Sequence, residues 1–234
     1  MRTFLWTPFW IPREGQSFKF DINQRVQGGK YNNWTPFLFA IKNGNADILQ
    51  SLIDKGAKVN VVIKQDESTL FTPLAHSIIC GQDDCTNLLL DNGANQTDLV
   101  SVEGADNISM LMLACAYSDW SMVSRFLDNP ELKINNFDSQ GKNSFMYAAK
   151  YNKNPDKAIK ILRNLRGRKA VITHKDTKGN NAYTLGFLNK QNGDVLLWLL
   201  EHGVPFQYKV SNIEMYVDHV EYYNVLKEIC DIKE

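Results

Sequence analysis

Thr35-Pro36-Phe37-Leu38-Phe39-Ala40 is followed, 37 residues later, by Thr72-Pro73-Leu74-Ala75-His76-Ser77. The phrase returns in worn form as Ser109-Met110-Leu111-Met112-Leu113-Ala114, as Asn143-Ser144-Phe145-Met146-Tyr147-Ala148 and as Asn181-Ala182-Tyr183-Thr184-Leu185-Gly186. A second phrase keeps step with the first: Gly56-Ala57 and Gly93-Ala94 each lie 21 residues past their threonine. Self-similarity at this period specifies a stack of small units, each touching only its neighbours. Stacks of this kind bind more often than they catalyse.

Each unit reads as two short helices. In the first, Thr35 stands at a cap position, and Pro36 suits the first turn because its missing N–H costs nothing there. Phe37, Leu38, Ala40 and Ile41 follow at helical spacing, and Asn43-Gly44 closes the helix. Asp47 opens a second helix with Ile48, Leu49, Leu52 and Ile53 as its apolar stripe. Lys55-Gly56 ends it, glycine accepting the left-handed conformation that a side chain resists. Equivalent units are expected near residues 35–60, 72–95, 109–135, 143–169 and 181–204. No helix pair could bury its stripe alone, so the units must stack.

These phased phrases resemble the ankyrin-repeat family. Its pattern of Thr-Pro-Leu-His-x-Ala-Ala, a turn glycine, a leucine pair and Gly-Ala is best kept in the first two units. Its turn phrase survives as Asp138-Ser139-Gln140-Gly141 and Asp176-Thr177-Lys178-Gly179. The departures are Leu38, Ala75, Met112, Met146 and Thr184 at the histidine position, long connections before the second and third units, and Gly203 one place late. The resemblance spans residues 21–204 and implies an all-α solenoid of stacked helix-turn-helix units with short turn fingers. It identifies no subfamily. Residues 1–20 form an aromatic segment ahead of the array. Residues 205–234, with Ile213, Tyr216, Val217, Val220, Tyr223, Leu226 and Ile229 near helical spacing, read as capping helices.

In the family, ligands meet the concave side formed by turn tips and first helices. Carried over by position, this implies a partner-binding set of Tyr31, Trp34, Phe71, Ile79, Ile108, Tyr117, Lys150, Tyr151 and Lys178, with Gln140 and Lys142 among the tip positions. Aromatic anchors tend to dominate binding energy. The competing reading is that several pack against the next turn and never reach a ligand. At the start of the chain, Phe4, Trp6, Phe9 and Trp10 either seal the first unit or anchor in a partner. Leaving such rings in water costs about 1.5–3 kcal/mol each.

Formal net charge is zero over 234 residues, so no global field draws the molecule to nucleic acid or a membrane. Charge is nevertheless segregated. Lys160, Arg163, Arg166, Arg168 and Lys169 belong to a basic stretch over residues 153–178, on the second helix of the fourth unit and the loop after it. This is a solvated convex face or a patch for an acidic partner. Nucleic acid is the weaker partner, because no stacking aromatics are interleaved with these residues.

No catalytic, metal-ligating or cofactor-binding constellation appears. Gly28-Gly29-Lys30 lacks the spaced first glycine and the Ser/Thr of a phosphate loop. His76, His174, His202 and His219 are scattered, and the four cysteines form no C-x-x-C pair. Unpaired cysteines argue for the cytoplasm or another reducing compartment, association with the cytoskeleton included. No apolar run reaches the roughly 18 residues of a membrane span. The expectation is a non-catalytic protein-interaction module with one or more protein partners, no small-molecule substrate and no evidence for a homo-oligomer. It acts either as a scaffold or structural subunit of a larger assembly, or as a soluble adaptor that captures a peptide or protein reversibly.

Overall fold

The computed structural model describes residues 21–102, 104–210 and 213–216. Five helix pairs follow one another: α1 Pro36–Lys42 with α2 Ala46–Asp54, α3 Pro73–Ile79 with α4 Asp83–Asp91, α5 Met110–Tyr117 with α6 Trp120–Leu127, α7 Ser144–Tyr151 with α8 Pro155–Gly167, and α9 Ala182–Leu188 with α10 Gly193–Glu201. The repeated phrase is the start of each first helix. Thr72, Ser109, Asn143 and Asn181 each accept a backbone N–H three residues on, satisfying a donor that the helix itself cannot.

First helices lie in one row, α1 to α3 to α5 to α7 to α9, and second helices form an outer row behind them. Leu38, Ile41 and Leu49 in the first unit, and Leu74, Ile78 and Leu89 in the second, are fully enclosed in the seams. Helix α5 is apolar around its whole circumference, Met110 to Ala116 all buried, because neighbours cover it on both sides.

Side-chain amides stitch one unit to the next. Asn60 donates from Nδ2 to the Gly93 carbonyl at 2.9 Å and accepts the Asn95 N–H at 2.8 Å. Asn135 repeats this with Lys169 (3.3 Å) and Val171 (2.9 Å). Asn23 accepts the Lys58 N–H at 3.2 Å, so it holds the same station ahead of the first full unit.

The long connections before the second and third units are not plain turns. They form β1 Ile63–Lys64, β2 Leu70–Phe71, β3 Val100–Val102 and β4 Ala105–Ile108, one antiparallel sheet in that order. Ile63 pairs with Phe71, Leu70 with Ser101, and Val100 with Ile108. Ile63, Phe71, Val100 and Ile108 are all buried, which fixes the register. The fourth and fifth fingers are tight turns around buried Asp138 and Asp176. Asp138 Oδ1 accepts the N–H of Gln140 and Lys142, and Asp176 Oδ1 that of Lys178 and Asn180. Adjacent fingers are joined by Ser139 N–H to Asp106 O and Thr177 N–H to Gln140 O.

The helix read from residue 213 does not begin there. Ile213–Tyr216 is a strand, β6, paired antiparallel with β5 Gln207–Val210. Eight residues rich in Tyr, Val and Ile fit a hairpin as well as a helical stripe, and β-branched and aromatic residues favour the strand. Residues 217–234, expected as capping helix, and the aromatic segment 1–20 lie outside the described residues.

Candidate functional site

The five first helices and the fingers define the concave side. Between α5 and α7, under the β3–β4 finger, a cleft of about 140 Å³ opens. Ile79, Tyr117, Lys150 and Tyr151 line it, with Gln140, Lys142 and Tyr147 deeper. Tyr117 is the most open of these, 41% exposed. Its ring lies 6.4 Å from that of Tyr151, and Tyr147 is 5.4 Å from Tyr151. The Lys150 ammonium donates to Tyr151 Oη at 2.9 Å and sits 4.5 Å from the Tyr151 ring centre.

The cleft floor is a buried polar network. Tyr147 Oη donates to Asp138 Oδ2 at 2.9 Å, and Lys142 Nζ lies 3.7 Å from the same oxygen. Lys142 also donates to Gln140 Oε1. Burial pushes the Lys142 ammonium below its ordinary range. Asp138 works against this shift, and nearby Lys150 adds to it. Burial, with Asp138 beside it, raises the Tyr147 hydroxyl far above the usual phenol. Tyr147 therefore stays protonated at neutral pH and offers a positioned donor rather than acid–base chemistry.

The sequence-derived set divides. Ile79, Ile108, Tyr117, Lys150 and Tyr151 all reach the cleft wall, but Ile108 is only 3% exposed and serves as core. Trp34 and Phe71 are likewise buried. Trp34 packs on Tyr31, Phe39, Phe71 and His76 and donates to Gln65 Oε1 at 3.3 Å, so it anchors the first finger to the second and presents no ring to a partner. Tyr31 is half-buried at that far end, its hydroxyl accepting from Lys42 Nζ at 2.9 Å. Lys178 is exposed at the tip of the fifth finger, away from the cleft. Asp138 and Tyr147 are missing from the sequence-derived set. The Asp-x-x-Gly phrase placed the aspartate in a turn but gave no sign that a tyrosine nine residues on would reach it.

On the convex side, Lys160, Arg163, Arg166, Arg168 and Lys169 are exposed on and after α8. Arg168 lies over the Trp120 ring at 5.1 Å. Among the described residues no ion pair involves Lys160, Arg163, Arg166 or Lys169. No group of three metal-ligating side chains occurs, and no helix is long and apolar enough to cross a membrane, among the described residues.

Residues 14–100 match the family model of ankyrin repeats, in three copies. Over that stretch the sequence itself carries ankyrin repeats, and the later helix pairs continue the same architecture. No curated protein matches the chain in sequence. Many solved structures share its fold. One is a chain in the complex of Bd0816, a predatory endopeptidase from Bdellovibrio bacteriovorus, with immunity protein Bd3460. It is 22% identical with a TM-score of 0.61, over 78% of this chain and 86% of that one. At that identity the likeness speaks for the ankyrin fold alone. Ankyrin repeats are protein-interaction modules and are generally non-catalytic.

Proposed function

We propose that this ankyrin array takes a protein partner on its concave face, across the cleft between α5 and α7, and serves as a scaffold or structural subunit of a larger assembly. The observation that carries the reading is the open pair of rings, Tyr117 and Tyr151, set on rigid helices beside Lys150. Aromatics fixed on a rigid frame lose little entropy on binding, which is why they recur at the centres of interfaces. A cleft of about 140 Å³ falls short of the roughly 300–1,000 Å³ of small-molecule sites, so a partner's side chain suits it better than a substrate. Cys80, Cys85 and Cys115 are free thiols whose pKa values burial raises, in keeping with a reducing compartment.

Crosslinking mass spectrometry on the native complex, paired with Tyr117→Ala, tests the site. Tyr117→Ala should weaken partner capture at least tenfold, the cost of about 1.4–2 kcal/mol expected for a central aromatic. Helical circular dichroism should not change, because Tyr117 is on the surface. Undiminished capture removes the concave-face reading. A built-in subunit should self-associate when purified alone, whereas an adaptor should be a stable monomer. Lys160, Arg163 and Arg166 of α8, which make no ion pair among the described residues, favour a second contact, with an acidic tail. Reversing Lys160, Arg163 and Arg166 to Glu should then abolish the salt sensitivity of partner binding.

A further inference from the structure

We infer that the cleft between α5 and α7 is a subsite for one carboxylate side chain, a Glu or Asp of the partner segment, seated between Lys142 and Lys150. The inference rests on the concave-face reading above and specifies its chemistry. Three observations support it.

The first is donor capacity. An ammonium has three N–H donors. Lys142 spends one on Gln140 and turns a second toward Asp138, and Lys150 spends one on Tyr151 Oη. Both therefore keep capacity for an acceptor entering the cleft. The second is charge. Asp138 offsets Lys142, and that carboxylate is already filled by Gln140 N–H, Lys142 N–H and Tyr147 Oη. Asp176, which does not line the cleft, also favours the charged form of Lys142, and among the described residues no carboxylate pairs with Lys150. A carboxylate matches it, whereas a phosphate dianion would bring an excess of negative charge. No arginine fork, the usual phosphate clamp, lines the cleft. The third is mutual repulsion. Lys150 disfavours the charged form of Lys142 across the cleft. An anion between the two relieves that repulsion, and the low-dielectric wall of Ile79, Tyr117 and Tyr151 strengthens the attraction. The cleft volume admits a side chain and no more, and the Tyr117 ring is placed to cover an apolar neighbour of that side chain.

The experiment uses the full-length protein. Random short peptides displayed on phage are selected against it and, in parallel, against its Lys150→Gln, Lys150→Glu and Tyr117→Ala forms, each checked by circular dichroism. Peptides selected on the unmodified protein should share one acidic position next to an apolar or aromatic residue. Lys150→Gln should weaken the synthesised consensus peptide roughly tenfold, as expected for losing a hydrogen bond to a charged group. Changing the consensus Glu to Gln should cost as much on the unmodified protein and nothing further on Lys150→Gln. Selection on Lys150→Glu should no longer enrich acidic peptides. A consensus without an acid, no consensus at all, or equal binding of Glu and Gln peptides overturns the inference. Tighter binding of a phosphoserine peptide than of the Glu peptide overturns it in favour of phosphate. Neutral peptides that Tyr117→Ala weakens would remove the carboxylate subsite and leave the concave face standing. Peptides indifferent to both Tyr117→Ala and Lys150→Gln would remove both.

Discussion

Lys169 occupies a backbone conformation that glycine holds elsewhere in the array: φ is 63°, against 91° at Gly56 and 75° at Gly93. Its N–H reaches Arg166 O, and the next N–H reaches Leu165 O, the same closure that Gly56 and Ala57 make with Ile53 and Leu52. A side chain in the left-handed region costs about 1–2 kcal/mol, partly offset by the greater freedom of glycine in the unfolded chain. Lys169→Gly should therefore raise stability by about 0.5–1 kcal/mol, seen as a higher urea midpoint at unchanged slope. A lower midpoint would mean the exposed lysine contributes something its geometry does not reveal. His76 gives a pH signature. It lies 4.8 Å from the Trp34 ring and 5.3 Å from Phe71, and burial, then the charge of Lys42, lowers its pKa to about 4. The unfolded chain takes up that proton near pH 6.5, so the contribution is complete above 6.5 and lost as pH falls toward 4. The loss is roughly 3 kcal/mol from a shift of this size. The melting temperature should drop across that window, and His76→Gln should flatten the drop. Parallel curves for the two proteins would exclude His76 as the cause. Trp34 shows what residue type alone could not decide. A tryptophan at a fingertip suits a partner or the next finger equally, and only the third dimension places Gln65, Phe71 and His76 around it.

Elements were legible wherever a 3.6-residue apolar period followed a capping residue in phase with four other copies, and glycines such as Gly56, Gly93 and Gly203 marked some of the ends. That covers the helix pairs. The finger strands had no such signal. Two residues, Ile63–Lys64 or Leu70–Phe71, are too few to show an alternation, and β2 finds a partner in β3 of the following unit, 31 residues on at Leu70↔Ser101. The β5–β6 hairpin failed for a related reason, since its apolar residues satisfy either period. The amide stitches were visible as recurring asparagines but not as contacts. Asn60 is where their weight can be measured. Asn60→Ala removes both bonds to the Gly93–Asn95 segment and strips partners from backbone groups at the edge of a seam. The expected cost is about 1–2 kcal/mol. Amide exchange of Asn95 should speed up, while that of Val171, held by Asn135 at an equivalent seam, stays as it was. Unchanged exchange at Asn95 would show that the stitch follows the packing instead of supporting it.

The molecule as a whole is a line of seams, and its stability should be local in a way that a single-core domain's is not. The last two seams between first helices each carry a polar clasp. Asn152 donates from Nδ2 to the Cys115 and Ser118 carbonyls at 3.1 and 3.0 Å, closing the third unit onto the fourth. Gln191 does the same one seam later, donating to Ala149 O at 3.0 Å and Asn152 O at 2.8 Å. Gln191→Ala leaves two buried carbonyls at the end of α7 unpaired, at a cost of about 1–3 kcal/mol. In a nearest-neighbour array that cost falls on the terminal unit. Hydrogen exchange across α9 and α10 should accelerate some ten- to a hundredfold, while α1 to α4 keep their protection. Asn152→Ala cuts the line nearer its middle and should loosen the cleft between α5 and α7 as well, so it should weaken partner capture where Gln191→Ala does not. An equal loss of protection from α1 to α10 in either variant would show that the chain unfolds as one cooperative body. The cleft would then owe its geometry to the whole array rather than to the two units that flank it.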